Sequence, residues 1–238
     1  MPLAASGVTH PGRRSTNEDA WLVDLDHGLL VVADGMGGHN AGEVASALAV
    51  KVIREVFESS GNPPTQDLLT NAVRLANERI LAAASVQPEH SGMGTTVVAV
   101  LILDERAFYI SVGDSRVYLW RGGHLTQLTR DDSWLAETLD GQSEEPVDFG
   151  SHPMRHVLTK VVGLRPELEA TVSECPLGAG DSLLLCSDGV HGALPHELLA
   201  TMMSSKRAVE DVAQNVVRSA IARGATDNVT AVVARVGR

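Results

Sequence analysis

Apolar positions along the chain fall into blocks with two different periods. WLVDLD (21–26) and GLLVVADG (28–35) are short runs rich in Val and Leu, separated by the turn-like Asp26-His27-Gly28, and they predict two consecutive strands. Beyond the glycine cluster Gly35-Met36-Gly37-Gly38, apolar residues recur at Val44, Leu48, Val52 and Val56, a helical spacing that predicts a helix over 43–57. Asn62-Pro63-Pro64 breaks it, and 66–86 predicts a second helix. From 95 to 128 the pattern changes to strands punctuated by Asp104-Glu105, Gly113-Asp114 and Gly122-Gly123, which predicts an antiparallel meander. Residues 130–163 are polar and irregular, a surface excursion with one or two short helices. Strands near 169–173 and 182–186, helices near 197–203 and 208–222, and a last strand over 230–236 complete the reading. No internal repeat occurs and no linker is long enough to divide the chain, so 1–238 reads as a single domain. Helices and strands come in blocks rather than in βαβ alternation, which favours an α+β fold with antiparallel sheets.

Composition narrows the field. The chain has 238 residues, 44% of them hydrophobic but only 3% aromatic, so its core is built mainly from Ala, Val and Leu. Charged residues at 21% and a mean hydropathy of +0.03 describe an ordinary globular chain. A formal charge of −11 leaves no electrostatic footprint for nucleic acid. The chain start carries no basic stretch followed by an apolar one, and the longest apolar run, VVAVLIL (97–103), is far short of a membrane span. Cys175 and Cys186 fit neither a disulfide framework nor a thiolate zinc site. The expectation is a cytoplasmic monomer with no membrane insertion.

Candidate chemistry lies in carboxylates at strand ends. Glu18 and Asp19 precede the first predicted strand; Asp34 and Asp188 each follow an apolar run and precede a glycine; Asp114 sits between two strands; Asp227 lies at the entry to the last one. Several such rims brought together would make an all-oxygen site suited to magnesium or manganese. Asp, Asn and Gly are equally the ordinary residues of turns, so each position alone reads either way. Other chemistries fail on spacing. Gly35-x-Gly37 meets Asn40 where a dinucleotide fingerprint needs its third glycine. No calcium-loop pattern and no G-x-S-x-G elbow occur. Six residues beyond Cys175 and Cys186 stand Asp181 and Gly192, not the arginine of a cysteine phosphatase.

Order resolves the ambiguity. RSTNED (14–19), ADGMGGHNAGEVAS (33–46), GTT (94–96), VGDSRVY (112–118), HPMRHVLTKVVG (152–163), LLLCSDGV (183–190) and TDNVTAVV (226–233) follow one another along the chain. Together they resemble the motifs of the metal-dependent protein serine/threonine phosphatases, the protein phosphatase type 2C family, in its bacterial form. The resemblance implies a four-layer αββα sandwich, two antiparallel sheets with helices outside, a metal site at one edge, and a flap over about 130–160.

It also implies roles. Asp34 matches a carboxylate bridging two Mn²⁺ or Mg²⁺ ions, with the Gly35 carbonyl on one of them; Asp188 and Asp227 match the other core ligands. Asp19 and Glu18 match outer ligands or holders of metal-bound water, and Asp114 with Asp188 matches a third ion. A water shared by two ions about 3.5–4 Å apart ionises near neutrality and attacks phosphorus in line, with no phosphoenzyme. Arg14 matches the phosphate-binding arginine, a guanidinium that grips two oxygens at once; its neighbour Arg13 reads as a solvated charge. Met36 stands where animal relatives carry His, which leaves the proton for the leaving alkoxide to His39 or to a metal-bound water. His152 and His156 read as structural or exposed. Asp132 replaces a His common in bacterial relatives. Asn228 is expected to orient Asp227, and Ser115 and Arg116 to stabilise the turn around Asp114. The implied partners are phosphorylated proteins and a cognate serine/threonine kinase. A catalytically silent phosphoprotein binder would have lost Asp34, Asp188 or Asp227; all three are present. A phosphatase acting on small molecules or on phosphotyrosine is set aside by family analogy alone.

Overall fold

The computed structural model of the chain describes residues 2–37, 41–61, 64–139, 154 and 157–237. His39, His152 and His156, and most of the expected flap, lie outside the described residues.

One sheet has five strands in the order β1-β11-β10-β7-β8, built from β1 (Leu3–His10), β11 (Val229–Val236), β10 (Ser182–Cys186), β7 (Arg116–Arg121) and β8 (His124–Gln127). The other has six: β2 (Asp19–Asp24), β3 (Leu29–Met36), β5 (Val97–Leu103), β6 (Arg106–Val112) and β9 (Ser173–Pro176) in that order, with β4 (Gly94–Thr95) pairing the end of β3. Every pairing is antiparallel. The uniformly apolar runs are explained by two covered faces. Along β3, Leu30 and Val32 point into the core between the sheets, where they meet Val98, Val117, Leu185 and Val232. The alternate residues Leu29, Val31 and Ala33 point outward, under α1 (Ala41–Ser59) and α2 (Gln66–Val86). The second sheet is covered in the same way. Leu184, Cys186, Ala231 and Val233 face α4 (Asp188–His191), α5 (His196–Met203) and α6 (Val209–Ala222). The result is the expected four-layer αββα sandwich.

Four expectations need correction. β1 pairs along its whole length with β11 but was not foreseen, because LAASGVTH has too few large apolar residues to read as a strand. The strand expected over 169–173 begins only at Ser173. The face that α1 buries is lined by Ala41, Ala45, Ala49, Ile53 and Phe57, with Val44, Leu48 and Val56 only partly buried beside it. Small residues let the helix approach β3 closely, so the largest side chains mark the flank of the contact. Finally, 95–128 is not one meander. β5–β6 and β7–β8 are hairpins in different sheets, and the chain crosses between them at Gly113-Asp114. Within 130–160 the described residues form α3 (Trp134–Leu139) and a bridge between Ser133 and Leu158. Among the described residues, no helix is long and apolar enough to cross a membrane.

Candidate active site

At one edge of the sandwich a cleft of about 360 Å³ opens between the two sheets, walled by Arg14, Glu18, Asp34, Asp114, Asp188 and Asp227 together with Thr96 and Met36. Each acid arrives on a different element. Asp34 lies opposite Asp19 in the β2–β3 register, and its peptide is held by the GTT segment. The Asp34 amide donates to Thr96 Oγ1 (3.0 Å), the Thr96 amide to the Asp34 carbonyl (2.8 Å), and Thr95 Oγ1 to the same carbonyl (2.9 Å). Asp114 occupies the crossing between the sheets. Gly113 has φ +97°, a conformation that costs other residues dearly, and a Cβ there would also lie 2.6 Å from the Thr96 side chain. Asp188 begins α4, which presses so close to the β11 entry that a Cβ on Gly189 would sit 1.9 Å from the Asn228 carbonyl. That contact sets Asp188 beside Asp227.

Asp19 sits behind the cleft wall and is held by hydroxyls. Ser187 Oγ (2.8 Å) and Thr230 Oγ1 (2.5 Å) both donate to its Oδ2. Thr230, its one proton committed there, accepts from Thr9 (2.7 Å), which in turn accepts from Asn17 Nδ2 (2.8 Å). Asp19 Oδ1 is buried with no hydrogen-bond partner. Burial, and then the proximity of Asp188 and Asp227, push this carboxyl up to about 7 against the pull of the two hydroxyls. Burial and Asp188 push Asp114 to about 7 as well. Asp34 is raised well above the ordinary carboxylate range by burial and by Asp19, Asp188, Asp114 and Asp227 together. Glu18 is raised mainly by burial.

Asn228 meets Asp227 through its main chain, not its side chain. Its backbone amide donates to Asp227 Oδ1 (2.9 Å), but its side chain holds the β1–β2 loop. Nδ2 donates to the Pro11 and Thr16 carbonyls (3.0 and 2.9 Å) and Oδ1 accepts from the Glu18 amide (2.8 Å). That loop presents Arg14, whose guanidinium donates to Asp227 Oδ2 at 2.7 Å. Arg116, likewise, is spent on a bidentate pair with Asp131 rather than on the Asp114 turn (2.7 Å at the closest). The turn is held by Asp132, which accepts from the Gly113 amide through Oδ2 (3.1 Å) and donates its own amide to the Gly113 carbonyl (2.8 Å). Ser115 Oγ does take part, bonding Thr96 Oγ1 at 2.8 Å. Sequence reasoning missed His191, whose Nε2 lies 3.0 Å from the Asp114 carbonyl. A carbonyl only accepts, so this nitrogen carries the proton. Burial, with Arg116 nearby, pushes the ring down to about 4 and keeps it neutral at neutral pH. Ser187 and Thr230 were missed too; their only signal is adjacency to Asp188 and Asn228-Val229.

The donor set fits a hard divalent cation. It is all oxygen, it includes the buried Asp19 Oδ1, which has no hydrogen-bond partner, and burial together with the neighbouring acids raises the pKa of Asp19, Asp34 and Asp114. Among the described residues, no three His, Cys, Asp or Glu side chains converge into a closed cage. Mg²⁺-type ions rarely require one: they keep several waters and take one or two carboxylates each. No histidine is among the described residues lining the cleft.

Residues 6–233 match the family described as Protein phosphatase 2C. The Mycobacterium tuberculosis serine/threonine protein phosphatase PstP is 38% identical over 226 residues, which cover 94% of this chain and 43% of that protein. The chain thus spans less than half the length of that relative. The crystal structure of the M. tuberculosis phosphatase PstP/Ppp superposes with a TM-score of 0.91 at 34% identity, covering 99% of both chains. A PstP catalytic domain solved with two manganese ions gives 0.89 at 33%, again over 99% of both. With the motifs in order, the acids gathered at one edge of the sandwich and the family match running over residues 6–233, the chain belongs to the protein phosphatase 2C family.

Proposed function

We propose that the chain hydrolyses phosphoserine and phosphothreonine esters in proteins, opposing a serine/threonine kinase, as a monomer in the cytoplasm. The observation that carries this is the convergence of Asp34, Asp114, Asp188 and Asp227, from four separate segments, on one cleft with Arg14 at its mouth. Asp34, Asp188, Asp227 and the Gly35 carbonyl would hold two divalent cations, with Asp19 and Glu18 reaching them directly or through water. Asp114 and Asp188 would take a third ion. The two manganese ions of the PstP catalytic domain support this assignment. When bound, such ions bring water to ionise near neutral pH and neutralise charge on the phosphoryl group.

The chain's own residues do the rest. Arg14 exchanges Asp227 for the phosphoryl oxygens, which its planar fork fits in two places. Asn228 holds the loop that carries Arg14, and the Thr95-Thr96 pair fixes Asp34. His39 stays the side-chain candidate for protonating the leaving alkoxide. The test is hydrolysis of phosphothreonine peptides with Mn²⁺, with Mg²⁺ and with chelator. Activity should vanish in chelator, and Asp188→Asn should lower kcat by about 10²–10³, equivalent to several kcal/mol of lost transition-state stabilisation. Full activity in chelator, or an unchanged Asp188→Asn, would overturn the proposal.

A further inference from the structure

The four-residue helix α4 does two things at once. Its first residue is Asp188, and its last, His191, bonds the Asp114 carbonyl at 3.0 Å. One turn of helix therefore supplies one carboxylate of the pair and grips the backbone of the other. The remaining holds on that crossing come from other elements. Asp132 grips the Gly113 peptide on both its amide and its carbonyl, and Thr96 bonds Ser115 Oγ. None of these reaches Asp114 itself. Gly113 turns through φ +97° immediately before it, so the Asp114 backbone would pivot there if its carbonyl were released. α4 cannot drift to compensate, because Gly189 leaves no room against residue 228.

We propose that His191 is a positioning residue that sets Asp114 against Asp188, so that a divalent cation can be shared between them. This rests on the assignment of those two carboxylates as ligands made above. The contact needs an N–H at the Nε2 position and nothing else from the ring. Glutamine places an amide nitrogen the same number of bonds from Cβ, whereas asparagine stops one bond short and phenylalanine has no donor.

Mn²⁺ is the probe, titrated calorimetrically into the metal-free 238-residue chain at constant pH, with a circular-dichroism melt to establish folding. Asp114→Asn should abolish one Mn²⁺-binding step. His191→Phe should weaken that same step tenfold or more while leaving the others within about twofold, and His191→Gln should stay within about threefold of the parent. If His191→Phe fails to fold, the comparison of His191→Gln with His191→Asn decides: retention in the first and loss in the second supports the role. Equal affinity in those two variants, or an unchanged isotherm in folded His191→Phe, would overturn it. If Asp114→Asn binds as the parent does, the ligand assignment itself falls and the inference with it. A purely structural histidine would shift the melt and leave the isotherm alone.

Discussion

Arg14 is the residue whose two environments differ most. In the structure it pairs with Asp227 at 2.7 Å, with the side chains 61% and 37% exposed, so solvent screens the pair and it adds little to stability. Around a phosphoryl group, in the proposed reaction, the same guanidinium would make charge-assisted bonds that develop with the chemistry. Arg14→Ala should therefore leave the melting temperature within about 1–2 °C while lowering kcat/KM on a phosphothreonine peptide about 10–100-fold, the equivalent of roughly 1.5–3 kcal/mol. Arg14→Lys should restore only part of this, since an ammonium is a point charge without the fork. Steady-state kinetics beside a thermal melt separates the two effects; a large melting shift with unchanged kcat/KM would make Arg14 a structural residue. At this scale the sequence marks Asp34 and Asp188, because Asp-Gly after an apolar run is a local pattern. It does not show what holds them. Ser187 and Thr230 meet Asp19, and Thr9 meets Thr230, from segments far apart in sequence, and the side chain of Asn228 turns away from its neighbour Asp227 toward a loop more than 200 residues earlier. Pairings of that kind leave no trace in spacing.

Among elements, the path of the chain over residues 163–165 depends on the buried amide of Asn77. Asn77 of α2 donates from Nδ2 to the Arg165 carbonyl (2.9 Å) and accepts the Gly163 amide at Oδ1 (2.7 Å). Asn77→Ala would leave both backbone groups without a partner, at a cost of about 2–3 kcal/mol. Denaturant unfolding should register that loss, while hydrolysis of a small aryl phosphate stays within about threefold, since Asn77 touches none of the acids; an unchanged midpoint would refute it. Nothing in 66–86 marks Asn77, a polar residue on a helix whose period is otherwise plain. The same limit runs through the fold. Helices α1, α2 and α6 and the runs that become β3, β5 and β10 are legible because local periodicity or continuous apolarity sets them. β1 is invisible, since it is a strand only by pairing with β11 at the other end of the chain. The crossing at Gly113 is half legible: the turn shows in Gly-Asp, but not that the chain changes sheets there.

Charge organises the molecule as a whole. The formal sum of −11 looks ill matched to an anionic substrate, yet part of it is concentrated where the two sheets meet, in acids that repel one another. Asp19 and Asp114 titrate at about 7 in the metal-free fold, whereas an aspartate in an unfolded chain titrates at about 3.9. Between those values the folded chain keeps protons that the unfolded chain has already released. Stability must then fall as pH rises from about 4 toward 7, by about 1.4 kcal/mol per pH unit for each such group, and it is regained over the same range as pH falls, in full below about pH 4. A divalent cation reverses this, because it binds the deprotonated acids and only in the fold. The metal-free chain should melt roughly 7–13 °C lower at pH 7 than at pH 5.5, with Mn²⁺ raising the melting temperature more at pH 7 than at pH 5.5. Asp19→Asn, which removes one of the groups, should flatten the metal-free slope. Thermal melts in chelator and in Mn²⁺ at the two pH values decide the matter. If the metal-free melting temperature rises between pH 5.5 and 7, the acids do not carry the mutual repulsion ascribed to them, and the excess of negative charge needs another explanation than a cradle for cations.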